Sequence, residues 1–444
     1  MCNIIKKKKI FFINRYFLSS TKNFNLFADK SLYIRYLFIP IVFKINFLLF
    51  NIPFSKIFLS IVKILKILGF FVYWNSFCFL FKDKCLSIKN RKFLNSQNSA
   101  SIIRILPSFL FFLNNKFVIY CKELLSRRPI NRIENFFINS RKEKIINFYN
   151  KIFVKNFFSK IVFVNFFFFT YIRKINLSLS SAQVKSFLFI SLIKLNVFNS
   201  FLTSNIYIRD HTDRIFLLYN KKNKNKNIFF IFKNSRKKFS FKKVFLPSCL
   251  STYSFIVLFS IIYKKKFFLK NLIFNYTRTG FIDASKTLGS IIFIKNLSFL
   301  NYEPVVNLEI LPSILNGNVF SKKTTERMID EIQSFIILSL FSLGYTIIKK
   351  CKELIYKEIN RIKYTIKEYK KFGAIILLFD DNFIIFNSIS SLREGSNADS
   401  YGDHRLSICL RVLQIFLNKP LIISSYSAYK ESFFNFEYFL NFLF

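Results

Sequence analysis

Apolar, helix-like stretches that stop at a glycine and resume at once as strand-like runs recur along this chain. They occur at Leu288-Gly289-Ser290, Leu343-Gly344-Tyr345, Phe372-Gly373-Ala374 and, in the N-terminal half, within the segment from Lys66 to Trp74. A glycine just past a helix supplies the left-handed backbone that closes it. The clearest example predicts a helix carrying Ile355, Ile359, Ile362, Ile366 and Tyr369, a stop at Gly373 and a buried strand over 374–379. A turn at Asp380-Asp381-Asn382 then leads into a second strand over 383–388. The order helix, strand, hairpin, strand, with its signature repeated in the other half, predicts a repeated α/β unit.

A chain of 444 residues that is 52% hydrophobic, with 65 Phe, has material for two or more domains and excludes global disorder. The net charge of +46 suggests an anionic partner, yet Lys, Asn, Ile, Phe and Tyr are enriched together. These are the residues of A/T-rich codons, so the bulk charge carries little functional weight. The Lys/Asn-rich stretches 221–227 and 235–243 read as a solvated loop near the middle, with a domain crossing close to residue 245.

Seven scattered cysteines (Cys2, Cys78, Cys85, Cys121, Cys249, Cys351, Cys409) form no CxxC pair, which argues against a metal or disulfide framework and fits a reducing cytoplasm. The four lysines within residues 1–10 precede no small-residue cleavage site. The segment 244–263 is long and uncharged enough to span a membrane, but Pro247 and five Ser or Thr residues suit lipid poorly. A basic nucleic-acid-binding protein and a membrane protein are the alternatives from other classes.

Chemistry concentrates in short polar clusters. Asp29-Lys30-Ser31 opens an apolar run with Arg35 one turn on; Asn98-Ser99-Ala100-Ser101 leads into Arg104; Ser180-Ser181-Ala182-Gln183 leads into Lys185-Ser186. Lys357 and Arg361, placed on one helical face, flank Glu358. A helix start offers free amides and a positive dipole end, so several such clusters together imply a multiply anionic ligand. Taken singly, each is most often just a cap with solvated charges. Both histidines follow Asp and lie near Arg, in Arg209-Asp210-His211-Thr212-Asp213-Arg214 and Gly402-Asp403-His404-Arg405. Asp330-Glu331 opens the apolar helix predicted from Ile332 to Leu343.

In chain order these clusters, together with Arg128-Pro129-Ile130, Asn275-Tyr276-Thr277-Arg278-Thr279-Gly280-Phe281, Glu303-Pro304 and Asp399-Ser400-Tyr401, resemble the 5-enolpyruvylshikimate-3-phosphate synthase family over residues 29 to about 434. The Ser-Ala-Gln-Val-Lys-Ser and Arg-Asp-His-Thr forms resemble its class II branch. The signatures favour this family over the related enolpyruvyl transferase acting on a UDP-sugar. The resemblance implies an α/β fold, a two-domain inside-out α/β barrel with three βαβαββ units per domain. One domain would comprise 1–28 plus 246–444 and carry the acid/base residues; the other, 29–245, would carry most shikimate-3-phosphate contacts. It also implies a cytoplasmic, monomeric transferase of the shikimate pathway. Phosphoenolpyruvate and shikimate-3-phosphate would be its small-molecule substrates, with no cofactor, nucleic acid or membrane.

By the same resemblance, Asp330 would take the proton of the attacking hydroxyl, and Glu358 with Lys30 would deliver one to the methylene carbon. Phosphoenolpyruvate would be held by Lys30, Arg128, Gln183, Arg361 and Arg405, against Ala100. Shikimate-3-phosphate would be held by Lys30, Ser31, Arg35, Ser181, Ala182, Gln183, Arg209, Asp330 and Lys357, with no metal in the site. Ala100 stands where most members have Gly, so its methyl should narrow the phosphoenolpyruvate pocket and weaken glyphosate inhibition. Ile102 and Asn360 replace a small polar residue and an Asp. Lys430 would be the late cation shifted by one position, and the expected Pro-Gly-Asp run reads Pro247-Ser248-Cys249.

Overall fold

The structure is a computed structural model that describes residues 23–24, 26, 28–43, 46–53, 55–75, 78–82, 92–97, 99–110, 117–121, 146–147, 154–157, 159–164, 168–169, 174–176, 181–194, 200–203, 209–217, 228–231, 243–393, 397–417, 422–431 and 433–443. Its helices are α1 (Lys30–Phe43), α2 (Lys56–Ile67), α3 (Ala100–Leu110), α4 (Ala182–Lys194), α5 (His211–Leu217), α6 (Leu250–Ile262), α7 (Gly280–Thr287), α8 (Lys322–Arg327), α9 (Ile332–Leu340), α10 (Arg361–Lys371), α11 (His404–Leu417) and α12 (Phe436–Leu443).

Six of these are core helices. In α6 every residue from Leu250 to Ser260 is buried, in α9 all nine are, and in α3 only Ser101 is not. A helix that is apolar on every side has no face to give to water and must be surrounded. Accordingly α1, α3 and α4 pack on one another in one domain, and α6, α9 and α11 do so in the other. Aromatic edges lock such contacts: Phe335 of α9 meets Phe320 at 5.0 Å and 88°. By contrast α2 buries Ile57, Phe58, Ile61, Ile64 and Leu65 and turns Lys56, Lys63 and Lys66 outward, as its 3.6-residue pattern dictates.

The sheets wrap these helix triplets. Four four-stranded sheets share one pairing pattern, a parallel pair followed by two antiparallel pairs. In one, Val319–Phe320, Tyr345–Ile348, Asn382–Phe386 and Ile376–Phe379 lie in that order, which is a complete βαβαββ unit. Because the sheets are outermost, their outer faces meet solvent, and Phe71, Tyr73, Phe293, Phe299 and Phe379 are exposed there. Among the described residues no helix is long and apolar enough to cross a membrane; the uncharged stretch 244–263 contains α6, a core helix of 13 residues.

Two chain segments, around Ala28 and Ser248, pass side by side. Asn23–Phe24 pairs in parallel with Phe268 and Leu269, and Lys243–Phe245 pairs in parallel with Leu48 to Phe50. Between them, the Asp29 amide donates to Pro247 O at 3.2 Å and the Ser248 amide to Asn271 O at 2.8 Å.

Three local expectations need correction. The helix expected through Ile355 and Ile359 is two pieces, a 3-10 turn Lys352–Tyr356 and then α10, whose first amides are capped by the Asn360 side chain accepting from the Lys363 amide at 3.1 Å. Lys357 and Arg361 therefore do not share a helical face. The strand expected to be buried over 374–379 is Ile376–Phe379, in which only Ile376 is buried, because this sheet covers its helices on one side only. Helix α9 ends at Leu340, and Gly344 separates the short strand Ser342–Leu343 from Tyr345–Ile348. Gly69, Gly289 and Gly373 do close helices with φ of 82°, 105° and 82°. The 221–227 stretch lies outside the described residues, as does 235–243 apart from Lys243.

Candidate active site

All six core helices begin at one cleft of about 190 Å³. Asp29, Lys30 and Ser31 enter it from the start of α1, Ser99, Ala100 and Ser101 from α3, and Gln183 from α4. On the opposite side stand Cys249 and Ser251 before and in α6, Asp330 before α9, and His404 and Arg405 opening α11. Each helix start brings the positive end of its dipole, about half a unit charge, so the backbone alone favours an anion here. Side chains add to this, since seven cations (Lys30, Arg209, Arg278, Lys357, Arg361, Arg405, Lys430) face four carboxylates (Asp29, Asp330, Glu358, Glu431).

Asp330 is the hub. Arg209 donates to its Oδ2, Lys357 Nζ lies 3.0 Å from Oδ1, and Arg405 donates to its main-chain oxygen. Burial opposes the charge, but Arg209, Lys357, Arg405 and Arg278 hold this carboxyl well below the usual carboxylate range. Burial in turn draws the Lys357 ammonium below its ordinary value, with Arg361 and Arg209 adding repulsion that Asp330 only partly offsets. Across the cleft, Arg361 donates from NH2 to Glu358 Oε2 at 2.7 Å and from Nε to Asp403 Oδ2 at 2.7 Å. Glu358 lies in the segment between the 3-10 turn and α10, three residues before Arg361.

The segment 209–214 is pinned to residues between 275 and 303. Asn275 Nδ2 donates to Asp210 Oδ1 at 2.5 Å, His211 Nδ1 lies 2.7 Å from Glu303 Oε1, and Arg214 donates to Tyr302 O at 3.1 Å. These contacts present Arg209 to Asp330. Gln183 is oriented in the same manner, accepting from Arg104 NH1 at 2.5 Å and donating to Ser101 Oγ at 2.8 Å. Among the described residues no group of three or more His, Cys, Asp or Glu is arranged to hold a metal ion.

A sequence model described as EPSP synthase (3-phosphoshikimate 1-carboxyvinyltransferase) matches residues 25–440. The chain belongs to the EPSP synthase family. It is 33% identical over 226 residues to the 3-phosphoshikimate 1-carboxyvinyltransferase of Petrotoga mobilis, covering 51% of this chain and 52% of that one. It is 35% identical over 194 residues to that of Bacillus pumilus, covering 44% and 45%. The aligned stretch thus spans about half the length of these curated relatives. The fold extends further: the solved EPSP synthase of Acinetobacter baumannii superposes with a TM-score of 0.76 over 95% of both chains at 20% identity. The enolpyruvyl transferase NikO of Streptomyces tendae gives 0.68 over 96% and 95% at 11%. The two-domain inside-out α/β architecture is therefore shared by proteins of very different sequence.

Of the family positions expected from sequence, Lys30, Ser31, Ala100, Gln183, Arg209, Asp330, Lys357, Glu358, Arg361 and Arg405 line this one cleft. Arg35, Ser181 and Ala182 stand behind that lining. Arg35 is buried and donates to Ser31 O at 2.8 Å, Ala182 O at 3.2 Å, Ser186 Oγ at 3.1 Å and Thr212 Oγ1 at 2.9 Å, tying α1, α4 and α5 together. Ser181 caps α4 loosely, its Oγ 3.5 Å from the Val184 amide. Arg128 lies outside the described residues. Lys430 also reaches the cleft, next to Glu431.

Sequence reasoning did not single out Asp29, Arg278, Glu331 or Asp403 as members of the site. Three of these are among the few acids in the chain and each adjoins or nearly adjoins an expected residue, which is the signal that could have found them.

Proposed function

We propose that the chain transfers the enolpyruvyl group of phosphoenolpyruvate to the 5-hydroxyl of shikimate-3-phosphate and releases phosphate. The observation that carries this reading is the convergence of Lys30, Arg209, Lys357, Arg361 and Arg405 on two carboxylates, Asp330 and Glu358, at the meeting point of six helix starts. Two phosphorylated substrates require such an excess of positive charge, and addition followed by elimination requires one base and one acid.

In this reading Asp330 accepts the proton of the attacking hydroxyl. Its neighbours keep it ionised across neutral pH, which is the form a base needs. The hydroxyl oxygen bonds to the central carbon of phosphoenolpyruvate while Glu358, with Lys30, protonates the methylene carbon. Loss of phosphate and of one methyl proton from that tetrahedral adduct restores the double bond. Arg361, Arg405, Gln183 and Arg128 hold phosphoenolpyruvate against Ala100. Ser31, Arg209 and Lys357 hold shikimate-3-phosphate, with Arg35, Ser181 and Ala182 forming the wall behind them.

The domains are proposed as 1–28 plus 246–444 and 29–245, supported by the paired strand crossings described above. We also propose a cytoplasmic monomer that needs no cofactor and engages neither nucleic acid nor membrane. The test is phosphate release by the purified chain given both substrates, compared with Asp330→Ala and Lys30→Met. Release by the parent and its loss in both variants is expected; equal rates in all three defeat the assignment.

A further inference from the structure

Arg278 lies in the turn before α7 and is buried, with a face on the cleft. Its NH1 donates to Asp29 Oδ2 at 3.2 Å and its NH2 to Glu331 Oε1 at 3.4 Å. These carboxylates open helices of different domains, and each is the chain neighbour of a proposed reacting group. Asp29 precedes Lys30, and Glu331 follows Asp330.

Neither carboxylate is free to swing. Asp29 Oδ1 already accepts from the Ser31 amide at 2.8 Å and the Leu32 amide at 3.2 Å, capping α1. Glu331 Oε1 already accepts from Ser251 Oγ at 2.6 Å. A planar guanidinium fork held at both tips therefore acts as a strut between the starts of α1 and α9. Its Nε has no hydrogen-bond partner among the described residues, so the span is made at the expense of full satisfaction.

We propose that Arg278 is a positioning residue for enolpyruvyl transfer, fixing Lys30 against Asp330 across the two domains by spanning Asp29 and Glu331. This rests on the proposed function. Arg278 has a second effect that can be separated from the first: with Arg209, Lys357 and Arg405 it is one of four cations that keep Asp330 ionised. A lysine retains that charge but, as a compact ammonium, cannot hold both carboxylates in one plane.

The experiment compares Arg278→Lys and Arg278→Gln in steady-state phosphate release across pH. Arg278→Lys should lower kcat about 100-fold, the scale of a displacement of about 1 Å between reacting groups, with smaller changes in KM and no movement of the acid limb of kcat. Arg278→Gln should lower kcat as much and also move that limb to higher pH, because a cation beside Asp330 is gone. Parental kcat in Arg278→Lys, or a loss confined to KM in both variants, overturns the proposal. Thermal melts of Arg278→Gln, Asp29→Asn and the double variant decide it without activity. A double variant no less stable than the weaker single supports the strut, and additive losses overturn it. If the parent itself releases no phosphate, the functional reading falls while the melts still judge the strut.

Discussion

Arg361 and Asp403 form a buried ion pair at 2.7 Å, and the same aspartate caps a helix. Its Oδ1 accepts from the Arg405 and Leu406 amides at 2.9 and 3.0 Å while Oδ2 takes the Arg361 guanidinium. One carboxylate thus fixes the start of α11, the direction of Arg405 and the arm of Arg361. Burial alone would weaken the guanidinium's charge; Asp403, Glu358 and Asp330 more than compensate and hold Arg361 above its ordinary pKa.

Asp403→Asn should therefore destabilise the chain by about 1.5–3 kcal/mol, since it removes one of the two carboxylates paired with a buried guanidinium and leaves Glu358 as the other. Urea denaturation monitored by circular dichroism measures this. A loss below about 1 kcal/mol would mean that the pair is solvated in practice.

Asp330→Asn should lower kcat by about 10²–10⁴-fold, the usual contribution of a positioned base. Affinity for shikimate-3-phosphate should hold or rise, because one negative charge leaves a site of Arg209, Lys357 and Arg405. Calorimetric titration with the sugar phosphate, alongside the rate assay, separates the two. A variant that retains turnover but loses binding would remove Asp330 from the chemistry.

Stability should fall steeply in acid. Burial opposes ionisation of Asp29, but Arg278, His211 and Arg209 hold its carboxyl far below the usual range, and Asp330 is depressed in the same manner. A depressed carboxylate contributes stability that is fully present above its unfolded value of about 3.9 and is lost as pH falls through the folded value. Asp213 has the opposite sign: burial pushes it up to about 7 despite Lys185, so its contribution is lost as pH rises through about 7. Melting temperature across pH 2–9 should show a maximum between these limbs. Asp29→Asn should flatten the acid limb, and an unchanged limb would assign the loss to other groups.

Ala100→Gly should lower the half-inhibiting glyphosate concentration by about tenfold, the discrimination one methyl group supplies in a tight pocket. Ala100 is 6% exposed at the mouth of α3 and lines the cleft, so its methyl occupies space a small ligand would use. Inhibition curves of the two proteins, normalised to KM for phosphoenolpyruvate, give the answer. Superimposable curves would show that this methyl is accommodated.

The cleft-lining residues were legible because core helices such as α1, α4, α9 and α11 announce themselves twice, by an apolar run and by a polar group at the start. Lys30, Gln183, Asp330 and Arg405 could be found without knowing how the helices pack. The break at Lys357–Asn360 was not, because the isoleucine spacing continues across it although Lys357 turns extended and Asn360 caps a new helix. The exposure of Leu377 and Phe379 was misread for a different reason. Apolar strand residues normally signal a covered face, whereas here the helices occupy the inside. Arg278 was invisible as a site residue since its partner Asp29 lies 249 positions away and no local pattern encodes that pairing.

The parallel pairing of Asn23–Phe24 with Phe268 and Leu269 has a consequence for biogenesis. On a ribosome adding about 5–20 residues per second, the first of these strands emerges some 12–50 seconds before its neighbour in the sheet exists. Everything in between can collapse as an insert while that short β-segment waits, so the segment around Asn23–Phe24 is open to capture by holdases until Phe268 and Leu269 have emerged.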